Sequence, residues 1–239
     1  MKIAFIGQKG VPVIAGGVER HVDDLSRQLA KLGHDVYVYT RWNYSDKKVN
    51  KYEGVNLINL PSIPTKHLDA ISHTLLAIFD LMRRKVDVIH FHSIGPSALI
   101  VMARILKPNT PIVATFHTQC YLHKKWSWFA RLSLRMAELM CCFFADKVIT
   151  ISRSLAEYAS FRYNINPVFI PNGVLMPREY DVENIKAKWG LESEQYILSI
   201  GRLIAHKGIH YLIEAYKQID TDKKLVIVGD GFFTDSYIA

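Results

Sequence analysis

The sequence predicts an α/β fold organised around a doubly wound parallel sheet. Two observations carry that expectation. Strand-like apolar runs alternate with amphipathic helical stretches along most of the chain, and the opening segment has the pattern of a βαβ crossover. In that segment a buried run over Lys2–Gly7 leads to an amphipathic stretch over Val18–Leu32, which Gly33 stops before a second run over Asp35–Thr40. The pattern then repeats. Val55–Leu60, Val86–His92, Pro111–Phe116, Lys147–Ile151 and Val168–Ile170 read as further strands. Leu68–Arg84, Ser97–Leu106, Lys125–Ala145 and Ser154–Tyr163 read as helices between them, the last opened by a capping box, Ser154-x-x-Glu157.

Between Gly173 and Gln195 the periodicity weakens while Pro177, Gly190 and several charges accumulate, with room for a short helix over Val182–Trp189. The predicted organisation is therefore a first domain over 1–175, a linker over 176–195, and a second Rossmann-like segment over 196–239. In the second segment Tyr196–Gly201 and Leu225–Val228 read as strands around a helix over Ile209–Ile219. Two strands and one helix cannot close a core of their own, so this second domain is expected to be incomplete as it stands.

Bulk properties narrow the function classes. With 239 residues, 49% of them apolar, the chain can bury a substantial core. No run of about 18 uncharged apolar residues is present to span a bilayer, and the short apolar start does not read as a signal peptide. Cys120, Cys141 and Cys142 are odd in number and lack metal-ligand or CxxC spacing, which favours buried thiols in a reducing compartment. The cytoplasm is the expected location. A formal charge of +8 points to an anionic partner: nucleic acid, acidic lipid or a phosphorylated small molecule. Nucleic acid is the weakest of these, since neither a basic stripe interleaved with stacking aromatics nor zinc-finger spacing occurs.

The residues that could carry chemistry sit at strand ends. In Ser199-Ile-Gly-Arg202-Leu-Ile-Ala-His-Lys207-Gly208 two cations five positions apart follow a strand and precede a helix. Arg202 can fork around phosphate oxygens, Lys207 can act as a mobile point charge, and the helix start adds unpaired N–H groups. Gly16-Gly17 lies between the first strand and its helix, where it reads either as a close-approach loop for an anion or as a flexible turn. The dinucleotide fingerprint G-x-G-x-x-G is absent, which lowers an oxidoreductase.

His117 closes a strand, where it could bond a sugar hydroxyl, titrate near neutral pH or simply hold structure. His90 and His92 share a strand face and could join His117 on a metal, against which packing and loop anchoring is the plainer reading. Pro171-Asn172-Gly173-Val174 reads as a tight turn with left-handed geometry, or as a hinge. The segment containing Lys124, Lys125, Trp126, Trp128 and Arg131 combines cations and indoles as at a lipid headgroup boundary, but its long apolar run favours a core helix with a solvated basic face.

The ordered set of Gly16-Gly17-Val-Glu19-Arg20-His21, Phe116-His117, Phe144-Ala-Asp-Lys-Val-Ile-Thr-Ile-Ser152, Pro171-Asn172-Gly173-Val174 and Gly201-Arg202 with Lys207-Gly208 resembles the GT-B retaining glycosyltransferases of family four, from Met1 to Ala239. The resemblance implies two Rossmann-like domains, an acceptor-side one first and a sugar-nucleotide one second. It implies Arg202, Lys207, Gly16 and Gly17 at the donor diphosphate, Gly17, Arg20 and His117 on the acceptor side, and catalysis by His117, Arg202 and Lys207. It places Asn172 and Gly173 as the interdomain hinge.

It further implies a nucleoside-diphosphate sugar as donor, a carbohydrate acceptor, and no cofactor or metal. The expectation of a lipid-linked acceptor, and of an anionic membrane surface as a partner with the inner face of the membrane as an alternative location, rests on the segment of Lys124, Lys125, Trp126, Trp128 and Arg131. The family's pair of second-domain glutamates, eight positions apart, has no counterpart here, so the 239 residues alone are expected to be inactive. Two rival classes are a non-catalytic GT-B-like scaffold subunit, which would bind without donor hydrolysis, and a nucleotide-sugar epimerase or dehydrogenase, which would need the missing fingerprint.

Overall fold

The computed structural model describes residues 1–65, 68–122, 126–176 and 183–231. They fall in two compact units, Met1–Leu175 and Met176–Ala239.

The first unit runs β1 (Lys2–Ile6), α1 (Gly17–Lys31), β2 (Asp35–Arg41), β3 (Lys51–Tyr52), β4 (Val55–Leu60), α2 (Asp69–Leu81), β5 (Val88–His92), α3 (Ile94–Ser97) and α4 (Ile100–Leu106). It continues with β6 (Ile112–Phe116), α5 (Trp128–Phe144), β7 (Lys147–Thr150), α6 (Arg153–Tyr163) and β8 (Val168–Phe169). The strands form one sheet in the order β3-β4-β2-β1-β5-β6-β7-β8, parallel throughout except for the β3–β4 pair.

Burial on both faces explains why these strands read as continuous apolar runs. Successive side chains of β1 point to opposite faces. Ile3 and Phe5 pack with Val36, Val38, Val55 and Leu57 under Val18, Val22, Leu25 and Leu29 of α1. Ala4 and Ile6 pack on the other side with Ala77, Ile78 and Leu81 of α2, Ile100 and Ala103 of α4, and Cys141 of α5. The chain leaves β1 toward β2 and β4, then returns to lay β5 on the other flank of β1. Ligands gather outside the carboxyl ends of the strands at such a reversal in open α/β sheets, which makes the ends of β1 and β5 the candidate crevice.

Several expectations are corrected. The single helix over Ser97–Leu106 starts earlier, at Ile94, and is divided at Leu99, whose φ of −99° and ψ of 8° leave the helical basin. The cap of α6 is Ser152 and not Ser154: Ser152 has the extended backbone a cap requires, and its Oγ accepts from the Leu155 N–H at 3.2 Å. Ser154 lies inside the helix and bonds the Ser152 hydroxyl at 3.1 Å.

Helix α5 opens at Trp128, and the core reading fails over its first turns, because Trp128 and Phe129 are 77% and 71% exposed. Its buried stretch begins at Ala137. Lys124 and Lys125 lie outside the described residues. Neither Asn172 nor Gly173 adopts positive φ, so the expected left-handed turn is absent and both are exposed in an irregular segment. Of the stretch expected as a linker, 176–195, the described residues fall in the second unit and carry α7 (Glu183–Trp189).

The second unit continues with β9 (Tyr196–Ile200), α8 (Ile209–Tyr216) and β10 (Lys224–Val228), the two strands pairing in parallel from Tyr196↔Lys224 to Ile200↔Val228. None of its described residues is buried. The contrast is measurable. Phe5→Ala should cost about 3–5 kcal/mol and Ile200→Ala less than about 0.5 kcal/mol, read as shifts in the urea unfolding free energy. Equal losses would show that the core does not lie where the sheet places it.

Candidate functional site

The crevice is built from the ends of β1, β5 and β6 and the start of α1. Gly7 leaves β1 with a φ of 111°, and a Cβ there would run into the His92 carbonyl and meet Pro96. Only glycine lets the loop after β1 pass that close to the end of β5. The loop is then pinned from three sides. Arg41 Nη2 donates to the Gly7 carbonyl at 3.2 Å, Asp23 accepts from the Val13 N–H at 2.8 Å, and Glu19 accepts from the Lys9 N–H at 3.2 Å. The Tyr44 hydroxyl accepts from the Ile14 and Ala15 N–H groups at 2.7 and 2.9 Å and donates to the Ala15 carbonyl at 2.9 Å. Behind it the buried Arg41 pairs with Asp69 at 2.6 Å. Burial opposes ionisation of Asp69, but the Ser62 hydroxyl and the Arg41 charge outweigh it and hold the carboxyl below its usual range.

Gly16 caps α1 with a φ of 111° and no side-chain hydrogen bond, and a Cβ on Gly16 would collide with the Glu19 carboxylate. A Cβ on Gly17 would meet nothing within 4 Å. The first N–H groups of α1 therefore carry no side-chain cap, and the positive end of the helix dipole lies there. Arg20 is exposed on the same turns.

The side walls are imidazoles. Register pairs Phe5 of β1 with His90 of β5, and His92 with Thr115 of β6. Phe5 packs against His90 and His92 at 5.1 and 5.2 Å between ring centroids, and the His90 and His92 rings are 4.2 Å apart. His90 Nε2 is paired with the Thr115 hydroxyl at 2.7 Å, whereas His92 Nδ1 faces His117 Nε2 at 3.2 Å. His21, on α1, closes the group at 5.6 Å from His92 and 5.2 Å from His117 between centroids. The three-histidine grouping that sequence suggested is therefore corrected: His21 stands with His92 and His117, and His90 is turned to Thr115.

His21 was missed as a site residue. Its signal was the four-residue spacing from Gly17, which places both on one face of α1.

Burial sets the charge of this wall. It pushes His117 down to about 3, assisted by the charge of His21, so the expectation of titration near neutral pH is overturned. Burial also holds His90 at about 3, with His21 and His117 adding to it, and takes His92 well below its usual value. For half-buried His21 desolvation wins over the opposing charge of Asp24. All four rings are neutral at pH 7. His92 Nε2 is buried without a hydrogen-bond partner among the described residues. A proton between His92 and His117 can sit on either ring, and either choice leaves that nitrogen unsatisfied, at about 1–3 kcal/mol. Beside it Ser93 is held at a φ of 75°, a left-handed value costly for a residue with a Cβ.

In the second unit Arg202 and Lys207 are both exposed in the loop between β9 and α8. The loop is shaped by the Leu203 N–H on the Asp230 carbonyl at 3.0 Å and by a 3-10 turn over Ala205–Lys207. Gly208 follows with a φ of 71° and caps α8 without a side chain, so the first N–H groups of α8 carry no side-chain cap. Both loops have the same form: a strand end, cations or glycines, then an uncapped helix start.

A doubly wound parallel sheet followed by a second βαβ segment fits the GT-B class of glycosyltransferases, to which the comparisons with known proteins assign the chain. The family model for Glycosyltransferase Family 4 matches residues 15–175, and that for Glycosyl transferases group 1 matches residues 181–238. The chain belongs to Glycosyltransferase Family 4.

Among its relatives is an alpha-monoglucosyldiacylglycerol synthase of Streptococcus pneumoniae, 28% identical over 97% of this chain and 56% of that protein. Sucrose-phosphate synthase from Thermosynechococcus elongatus superposes with a TM-score of 0.76 at 23% identity, covering 99% of this chain and 64% of that one. Anabaena HepE, solved with UDP and glucose, superposes with a TM-score of 0.72 at 20% identity, covering all of this chain and 64% of that one. The chain thus spans less than two thirds of the length of these proteins.

The neutral histidines predict acid sensitivity. Their folded pKa values lie below the unfolded value near 6.5, so the stability they contribute is present above pH 6.5 and is lost as the unfolded chain takes up protons below it. Between pH 6.5 and about 3, each such histidine should remove about 1.4 kcal/mol per pH unit. Urea unfolding at pH 7.5, 6 and 5 should show this loss, and His117→Asn should shrink the slope. A flat profile from pH 7.5 to 5 would contradict buried neutral rings.

Proposed function

We propose that the protein carrying these two loops transfers a sugar from a nucleoside diphosphate to an acceptor hydroxyl with retention at the anomeric carbon. The observation that carries this reading is the exposed Arg202–Lys207 loop leading into a helix start without a side-chain cap, inside a chain of this family. UDP in the Anabaena neighbour and the diacylglycerol in the Streptococcus relative's name are the support for a nucleotide-sugar donor and a lipid-linked or carbohydrate acceptor.

The chemistry is leaving-group stabilisation. As the glycosidic bond breaks, negative charge grows on the diphosphate, and Arg202, Lys207 and the N–H groups opening α8 oppose it more strongly than in the ground state. The fixed cations supply this charge, so the transfer step needs no metal. His117 is neutral, so its role is a hydrogen bond to a sugar hydroxyl and not proton transfer to the leaving group. Glu19 and Asp23 of α1 are committed to backbone N–H groups, which favours attack and departure on one face over a covalent carboxylate intermediate. Asn172 and Gly173, just before the boundary between the two units, are the proposed hinge.

Exposed Trp128, Phe129 and Leu132 with Arg131 would seat the protein on an anionic membrane face, the side from which a lipid-linked acceptor is drawn.

In the whole protein, Arg202→Ala should lower kcat by a hundred- to a thousandfold, about 3–4 kcal/mol in the transition state, with the fold unchanged by circular dichroism. The product's anomeric configuration, read by NMR, should match the donor's. Undiminished turnover in folded Arg202→Ala, or an inverted product, would remove this mechanism.

A further inference from the structure

The transfer reading uses one nitrogen of a group of three. Ligand-capable nitrogens of His21, His92 and His117 all lie within 4.8 Å of one another, and His92 Nδ1 and His117 Nε2 are 3.2 Å apart. Around a tetrahedral zinc ion, with metal–nitrogen bonds of about 2.0–2.1 Å, neighbouring ligand nitrogens are separated by about 3.3–3.4 Å. The His92–His117 pair already has that spacing. Phe5 and His90 hold the His92 ring on its inner sides, so the geometry is fixed where it matters. His21 is only half-buried on α1, so of the three rings it is the one least held by packing.

The donor set also has the right chemistry. Imidazole nitrogens suit zinc, copper and nickel and do not suit magnesium or calcium, which take oxygen. A neutral imidazole binds a metal through one nitrogen and keeps its proton on the other, so the proton in the His92–His117 contact has only to move to the far nitrogen of its ring as an ion enters. His90 stays outside the set because Thr115 occupies its Nε2.

We propose that His21, His92 and His117 form a three-nitrogen site for a zinc-class divalent ion, its fourth position open to the crevice. An ion there occupies His117, the side chain that the transfer reading gives to a sugar hydroxyl. On that reading the ion is a competitor that brakes transfer and not a cofactor. Only this consequence rests on the transfer reading; the binding site stands without it.

The test is a titration of metal-free chain with zinc against a chromophoric chelator, with no sugar nucleotide present. One equivalent should bind, and His21→Asn and His117→Asn should each weaken binding by about tenfold or more, while His34→Asn leaves it unchanged. Cobalt(II) added to the unaltered chain should give the intense visible bands of a tetrahedral nitrogen site, a readout that needs no variant to fold. Absence of stoichiometric binding, binding indifferent to both His21→Asn and His117→Asn, or only the faint spectrum of octahedral cobalt would overturn the site. Because no donor is present, a protein that failed to transfer sugar would still report its metal site, and the two proposals fail separately.

Discussion

The close passage of Gly7 over the carbonyl of His92 is the constraint from which the crevice follows. A side chain at Gly7 would have to occupy the space of that carbonyl, so the loop after β1 and the end of β5 are locked together where the chain reverses direction in the sheet. Once locked, the loop is held by Arg41, Tyr44, Glu19 and Asp23, and α1 begins where its open N–H groups and His21 stand over His92 and His117. Packing energy from the two sheet faces holds the strands, and the glycine sets where their ends meet.

Burial then converts geometry into chemistry. Four histidines at one strand edge would repel one another if charged, and desolvation keeps them neutral. Neutral imidazole both donates and accepts, which suits a hydroxyl or a metal and does not suit acid catalysis at pH 7. On the proposed reading, anion binding falls instead to fixed charges and helix starts, which need no proton.

The α/β class was legible because parallel strands buried on both faces leave uninterrupted apolar runs, and because glycines and polar loops punctuate them. The finer features were less so. The two-residue strand β3 is too short to carry a pattern, and the break at Leu99 is a backbone event within an apolar run. Ser152 and Ser154 are both good caps by composition, and the tertiary position of β7 decided between them. The exposure of Trp128 and Phe129 could not be read from hydrophobicity, since an apolar run looks the same whether or not something covers it. Gly16, Gly17, Arg202 and Lys207 were singled out in the sequence by loop chemistry, whereas the grouping of His21 with His92 and His117 is a tertiary contact that no local pattern shows.

The central claim is that the crevice wall is a set of neutral imidazoles with one proton shared between His92 and His117. Nitrogen-15 NMR of the histidine rings at pH 7 measures this directly. The account predicts neutral tautomer shifts for His21, His90, His92 and His117. It also predicts that one of the two nitrogens facing each other across the His92–His117 contact carries a proton. An imidazolium signal from any of these rings at pH 7 would contradict it.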